Sequence, residues 1–390
     1  MSKAVITGYA RTPFTRFTGA MASIPGHALG GHAVRHALAN AGIDPQSVER
    51  VYGGQVLQGL AGQNPARQAG VHGGLAFTVP AVTVNAVCLS GLEAVVAGAA
   101  LIEAGGADVV VALGMESMSL APHAFAARAG TRYGAIEFVD TLDHDGLTDA
   151  FEHVSMGSST ETGNEALHLT REAQDAWAAR SHQRAAASRD FLAGEIAPLD
   201  APAGRASVHV AEDDGVRPET TVETLAALRP AFRSEGTITA GNASQITDGA
   251  AAVVLMSEEA AARAGATPIA RVLAAALVAG PDIQLHHQPS NAILAALATL
   301  GRDASELGRV EINEAFASVA LASVDALGVD PDIVNVHGGA IALGHPIGAS
   351  GARLAGTLAR QLHEPGVGGL GAAALCGGGG QGSAVILEVV

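Results

Sequence analysis

The second half of this chain repeats the plan of the first, and that repetition limits the fold more than any other feature. The stretch LANAGIDPQSVERVYGG from Leu38 has a counterpart in LATLGRDASELGRVEIN from Leu297. Each reads as a helix end marked by glycine, a short acidic turn, a second helical turn and a strand. VTVNAVC, which runs into Cys88, parallels IVNVHGG, which runs into the segment Ala340–His345, and DVVVALGMES parallels GAAALCGGGG. Such a chain is expected to pair two copies of one α/β unit, so that the loops after equivalent strands meet. Residues far apart in sequence can then share one site.

Within each copy, apolar runs such as AVITGYA and AVTVNAVC alternate with Ala-rich helical stretches, among them His27 to Ala41 (ending at Gly42) and Gly91 to Ala104. Buried strands alternating with helices argue an α/β layered fold. Leu120 to Ala240 breaks the plan with MGSSTETGN, a helix around Thr170 to Gly194 carrying the only Trp, and an acidic loop at Glu212–Asp214. An insertion of this size reads as a substrate-binding or lid element, or as surface decoration. The expected division is a first half of residues 1–119 plus 241–268, an inserted loop region 120–240, and a second half 269–390.

Composition narrows the partners. The apolar runs fall well short of the roughly 20 residues that span a bilayer. The N-terminus lacks the apolar stretch of a secretory signal, so a cytoplasmic location with no membrane partner is expected. The net charge is −16 with no basic cluster, which argues against nucleic acid, whose phosphates need a basic face. Cys88 and Cys376 are the only cysteines in 390 residues, too few for a disulfide framework. The plain reading of each is a small buried hydrophobe. No metal-ligand spacing stands out.

Four segments carry possible chemistry. Asn85-Ala86-Val87-Cys88-Leu89-Ser90-Gly91 is a strand, a sharp turn and a helix start. A cysteine there is expected to feel the helix dipole and nearby backbone N–H groups, which favour its thiolate and can hold an oxyanion. In the stretch from Gly338 to Gly351 five glycines bracket His345, holding it on a tight loop where it could take a proton from Cys88. Asn313-Glu314-Ala315-Phe316 follows a strand, and Asn313 could orient a water or serve only as a helix cap. Cys376 opens a glycine run, Cys376 to Gly382, that bares backbone donors beside a second thiol or is simply a flexible turn.

In this order the four segments resemble the thiolase family. GMESMSLAPH from Gly114, RPAF from Arg229, TAGNAS from Thr239 and GHPIGASGAR from Gly344 extend the resemblance over essentially the whole chain. The GASG ending is similar to the biosynthetic, acetoacetyl-CoA-forming branch. The resemblance implies two similar βαβ-type halves in a five-layer αβαβα sandwich with an inserted loop region. It also implies a Claisen condensation or thiolysis of acyl-CoA by ping-pong kinetics. On this resemblance Cys88 is the S-acylated nucleophile, His345 its base, and Cys376 the acid/base for the second acyl-CoA. Asn313 holds a water that, with His345, stabilises the enolate. The N–H groups of Cys88 and Gly378 form the hole for the tetrahedral intermediate. Ser244 matches a contact to the pantetheine arm, Arg217 and Phe232 contacts near the nucleotide end, and Met156 a wall of the acyl pocket. Coenzyme A enters as substrate and product, no cofactor is required, and a homo-oligomer, dimer or tetramer, is expected.

The sequence departs from the family pattern at Leu89, Ser155, Gln245 and the segment IQLHHQPSNAI from Ile283. These are expected to alter pocket walls and to leave the catalytic groups intact. They bear on acyl length, so acetyl and acetoacetyl groups stand beside longer or branched 3-ketoacyl chains handled in the degradative direction. A β-ketoacyl synthase is the neighbouring alternative, against which Cys376 counts. An inactive CoA-binding scaffold is the alternative outside enzymes.

Overall fold

The structure, a computed structural model, describes residues 3–130 and 132–390. The first half supplies strands β1 (Ala4–Arg11), β2 (Arg50–Gly54), β3 (Ala81–Val84), β4 (Val109–Ser117) and β5 (Thr247–Ser257). Its helices are α1 (Gly26–Ala41), α2 (Pro65–His72) and α3 (Ser90–Glu103). The insert carries α4 (Met156–Ala166) and α5 (Arg171–Ala187). The second half supplies β6 (Ala270–Ala279), β7 (Leu307–Ile312), β8 (Leu370–Gly377) and β9 (Gln381–Glu388). Helices α6 (Gln288–Leu300), α7 (Ala317–Leu327) and α8 (Ser350–Gln361) belong with them.

Strand order is β3-β2-β4-β5-β1 in the first half and β7-β8-β9-β6 in the second. In each half parallel pairing gives way to antiparallel pairing at the same place, β4 to β5 and β8 to β9. The two ladders touch where Val5 and Ile6 of β1 pair with Arg271 and Ala270 of β6.

Strand alternation generates the layers. Along β5, Ala250, Ala252, Val254 and Met256 face one apolar core with α1, while Ala251, Val253 and Leu255 face a second core shared with α3 and α8. Along β8, Ala373 and Leu375 join that shared core, and Leu370, Ala372 and Ala374 face a third, with α6 and α7. Helices, sheet, helices, sheet and helices therefore stack in five layers, with α3 and α8 as the middle one. They cross closely because both carry glycine at the contact: a Cβ on Gly351 would come within 2.4 Å of Leu92 N.

The repeat seen in the sequence is present in backbone detail. Gly42 and Gly301 close α1 and α6 in the left-handed conformation, at φ 66° and 63°. Asp44 and Asp303 each accept from a backbone N–H two residues on, starting a one-turn helix before β2 and β7. The symmetry fails at IVNVHGG. Here Pro331–Ile333 form a one-turn helix capped by Asp330, and the segment meets β7 in a single bridge, Val334 to Val310, with Asn335 N donating to Val310 O at 2.9 Å. Asn335 explains why a strand is not needed there: its side-chain amide donates to Ile312 O and accepts from Ile312 N, both at 2.8 Å. One amide side chain thus does the work of a strand's peptide group.

In the insert, the stretch around Thr170 to Gly194 forms two helices. Thr170 caps α5 by accepting from Ala173 N, and the chain breaks at Ser188 before a short second helix, Arg189–Ala193. Among the described residues no helix is long and apolar enough to cross a membrane.

Candidate active site

The two central helices each follow a corner that presents one of the side chains singled out from the sequence, Cys88 or His345. Between β3 and α3, Val87 holds φ 52°, a costly conformation for a β-branched residue. Side-chain bonds over-determine the turn. Asn85 Oδ1 accepts from Val87 N at 3.0 Å, and Ser90 Oγ accepts from Ala86 N at 2.9 Å and donates to Val87 O at 2.6 Å. Cys88 stands on this turn, two residues before the helix begins.

The matching corner of the second half carries His345. Its backbone N–H donates to Gln245 O at 3.2 Å and Thr247 Oγ1 at 3.1 Å. Ser350, at the start of α8, occupies the position that Ser90 holds at the start of α3, and its Oγ lies 2.6 Å from His345 Nδ1. Glu314 fastens the preceding glycine loop from below, accepting from Trp177 Nε1 at 2.9 Å, Ser181 Oγ at 2.7 Å and Ile341 N at 3.2 Å.

Cys88, Met156, Ser244, His345, Cys376 and Gly378 line one inner cavity of about 60 Å³. Ser244, Met156 and His345 also line a wider cavity of about 500 Å³, together with Arg217 and Phe232. The Phe232 ring lies edge-on to Phe316, their centroids 6.2 Å apart. Eight of the nine residues singled out from the sequence thus face one or both of two adjoining cavities. Asn313 is the exception. It is fully buried at the end of β7 and meets His345 from the protein side, its Nδ2 lying 3.5 and 3.4 Å from the two ring nitrogens. Its Oδ1 meets no donor among the described residues.

The electrostatics correct one expectation. Burial pushes the Cys88 thiol up to about 11, outweighing the N–H groups of Cys88 and Gly378 that favour its thiolate. The residue is only partly buried and lines the inner cavity, and loss of hydration at its thiol dominates the shift. Burial pushes His345 down to about 3, with the charge of Arg353 adding to the effect. The pair is therefore a neutral thiol beside a neutral imidazole at pH 7. Burial also raises the Cys376 thiol, and nearby Cys88 contributes.

Of the four departures, three reach the cavities. Ser155 caps α4 and Gln245 lies on the wall, both facing the wider space, and Leu285 of IQLHHQPSNAI lines the inner one. Leu89 does not belong with them. It is fully buried in the middle layer, where a Cβ on Gly377 would meet its Cγ at 2.7 Å. Ser350, Thr247 and Glu314 were not singled out from the sequence, although Ser350 and Glu314 lie inside motifs that were and Thr247 follows TAGNAS by three residues. Among the described residues no group of three or more His, Cys, Asp or Glu could hold a metal ion.

Two thiols and an imidazole around a small, largely apolar space define an enzyme that transfers acyl groups. The chain belongs to the thiolase family: the family models "Thiolase, N-terminal domain" and "Thiolase, C-terminal domain" match residues 4–259 and 266–389. It is similar to the "Probable acetyl-CoA acetyltransferase" of Mycobacterium leprae (48% identical, covering 100% of both chains). It is also similar to the "Acetyl-CoA acetyltransferase" of Rhizobium meliloti (45% identical, 98% of both chains). Among solved structures, the Bacillus anthracis acetyl-CoA acetyltransferase superposes with a TM-score of 0.97 at 36% identity, covering 100% of this chain and 99% of the other.

Proposed function

We propose that this protein is an acetyl-CoA C-acetyltransferase that interconverts two acetyl-CoA with acetoacetyl-CoA and CoA through an S-acyl-Cys88 intermediate. The observation that carries the reading is the inner cavity, where Cys88, His345 and Cys376 share about 60 Å³. A water needs roughly 10–15 Å³ of such space, so the cavity holds on the order of four to six heavy atoms, suited to acetyl and acetoacetyl groups.

In the first half-reaction the Cys88 proton passes to His345 as the sulfur attacks the thioester carbonyl. The oxyanion lies against the N–H groups of Cys88 and Gly378. Cys376 protonates the departing CoA thiolate, leaving its own thiolate to take the α-proton of a second acetyl-CoA. That enolate rests against His345 and a water held by Asn313, then attacks the acyl group. Cys88 leaves and recovers its proton from His345. Net charge is unchanged across the cycle, which suits a dry site. Ser244 contacts the pantetheine arm, Arg217 and Phe232 lie towards the nucleotide, and Met156 bounds the acyl group. The reaction requires no metal or cofactor beyond the CoA substrates.

The division into residues 1–119 plus 241–268, 120–240 and 269–390 belongs to this proposal, as does a cytoplasmic homo-oligomer, dimer or tetramer. Support for the oligomer comes from Tyr133, Ile136 and Phe138, which stand exposed on one arm of the insert.

The test is loss of acetoacetyl-CoA in the presence of CoA, with Cys88→Ala as the control. Loss that vanishes in the variant supports thiolysis through Cys88. If Cys88 proves unreactive towards every acyl-CoA offered, a CoA-binding scaffold takes the place of the enzyme.

A further inference from the structure

We infer that Glu116 is a positioning residue that sets how the loop carrying His345 meets the segment carrying Cys88. The inference deepens the thiolase reading and rests on it.

Glu116 lies at the end of β4, fully buried. Its carboxylate is held by backbone N–H groups. Oε1 accepts from Leu57 N at 3.1 Å, and Oε2 accepts from Val56 N at 3.0 Å and from Gly348 N at 2.9 Å. Val56 belongs to the first half and Gly348 to the second, so a single oxygen joins the two. Each donor leads to a reactive group. Val56 O accepts at 3.3 Å from Nδ2 of Asn85, which shapes the Cys88 turn. Gly348 follows His345 by three residues on the same tight loop. Val56, Leu57 and Ile347 pack together, and Cys88 rests against them.

The joint is built for close approach. A Cβ on Gly348 would lie 2.7 Å from Glu116 Oε2, and one on Gly114 would lie 2.3 Å from Gly348 O. A buried carboxylate with no cation paired to it among the described residues is a costly way to fill space, and burial pushes this one up to about 7 against the pull of its three donors. What a carboxylate supplies, and an amide cannot, is acceptance from three N–H groups at once. Those three bonds fix two loops from different halves to one rigid strand end.

The test is Glu116→Gln, which keeps the shape but turns an N–H₂ towards at least one of the donors. A misplacement near 1 Å can cost about 100-fold in rate, so kcat for acetoacetyl-CoA thiolysis is expected to fall by roughly 10- to 100-fold. KM should stay within about twofold, because the wider cavity is untouched. Iodoacetamide should still alkylate Cys88, with the thiol present and unacylated. Glu49→Gln is the control for a merely structural carboxylate, since Glu49 accepts from Asp108 N and Val109 N at the other end of β4. It should lower thermal stability and leave kcat unchanged. If Glu116→Gln does not accumulate in folded form, Glu116→Asp keeps the charge, shortens the reach and is read in the same way. A folded Glu116 variant with wild-type kcat overturns the inference, as does one whose kcat loss is matched by Glu49→Gln. Thiolysis that survives Cys88→Ala would instead overturn the reading beneath it, so the two failures are distinguishable.

Discussion

His345 Nδ1 and Ser350 Oγ lie 2.6 Å apart, and the same hydroxyl lies 3.1 Å from Pro346 O. A hydroxyl has one proton, and the carbonyl can only accept it. With that proton assigned to Pro346 O, Ser350 accepts from His345 Nδ1–H. This network assigns the imidazole its Nδ1–H tautomer and leaves Nε2 as the basic nitrogen. Ser90, its counterpart in the first half, uses both capacities of its hydroxyl on the backbone of the Cys88 turn.

Ser350→Ala should release that tautomer without emptying the site of any reacting group. Loss of such an orienting partner typically costs about 10- to 100-fold in activity. We expect kcat to fall in that range with KM for acetoacetyl-CoA little changed, as read from steady-state thiolysis. An unchanged kcat would mean that the loop alone orients the ring.

The wall of the inner cavity sets a second outcome. Leu285 is buried between that cavity and a small apolar core with Ile238 and Phe316. Leu285→Ala should lengthen the space and cost roughly 2–5 kcal/mol of stability. The ratio of kcat/KM for a six-carbon 3-ketoacyl-CoA to that for acetoacetyl-CoA should rise by at least about tenfold, since each methylene in an apolar pocket is worth about 1–3 kcal/mol. A constant ratio would place the length limit elsewhere, with Met156 the next wall to alter.

The duplicated halves, and the placing of Cys88, His345 and Cys376 on turns that meet at one cavity, were legible in the sequence because each turn rests on local signals. Gly42 and Gly301 end helices by backbone geometry, and Cys88 and His345 sit in tight, glycine-marked turns. What was not legible depends on contacts across the repeat. Leu89 follows Cys88 and yet points away from the cavity, because the start of α3 turns it into the middle layer. The Cys88 environment was misread for a related reason. Helix N-terminus and N–H donors can be seen in a sequence, but the burial that outweighs them comes from both halves closing together. Glu116 shows the same limit, since GMES contains no sign that its carboxylate reaches Gly348.

A buried histidine outside the site gives a prediction about acid stability. His286 Nε2 lies 2.8 Å from Asn164 Oδ1, while its Nδ1 meets no partner among the described residues. Burial pushes His286 down to about 4, with His287 adding. Its ordinary value is 6.5, so between about 6.5 and 4 the unfolded chain binds a proton that the folded chain refuses. Stability from this group is present above pH 6.5 and is lost as pH falls, by about 1.4 kcal/mol per pH unit. Buried Glu116 and Glu311 are raised to about 7 and act in the opposite sense, so the comparison must be between variants. His286→Gln keeps a donor for Asn164 and should flatten the acid slope by about one proton relative to the wild type, measured by urea unfolding between roughly pH 4 and 6.5. Equal slopes would show that His286 is protonated in the fold.

The neutral Cys88–His345 pair has a consequence for chemistry that a preformed ion pair would not share. With the thiol at about 11, only a small thiolate fraction exists at pH 7, smaller by a few hundred-fold than for an ordinary cysteine near 8.5. Alkylation of Cys88 by iodoacetamide, followed in a Cys376→Ser background, should therefore be slow at neutral pH and rise about tenfold per pH unit beyond pH 8.5, where an ordinary thiol levels off. His345 is already neutral above about 3, so its own titration adds no step to that profile in the neutral range. Acyl-CoA should acylate Cys88 at neutral pH much faster than iodoacetamide alkylates it. In the proposed mechanism the thioester draws the sulfur into reaction while His345 takes the proton and the Cys88 and Gly378 N–H groups receive the oxyanion. Fast, pH-independent alkylation below pH 7 would instead reveal a resting thiolate beside a protonated His345. The base would then have done its work before substrate arrives, not during attack.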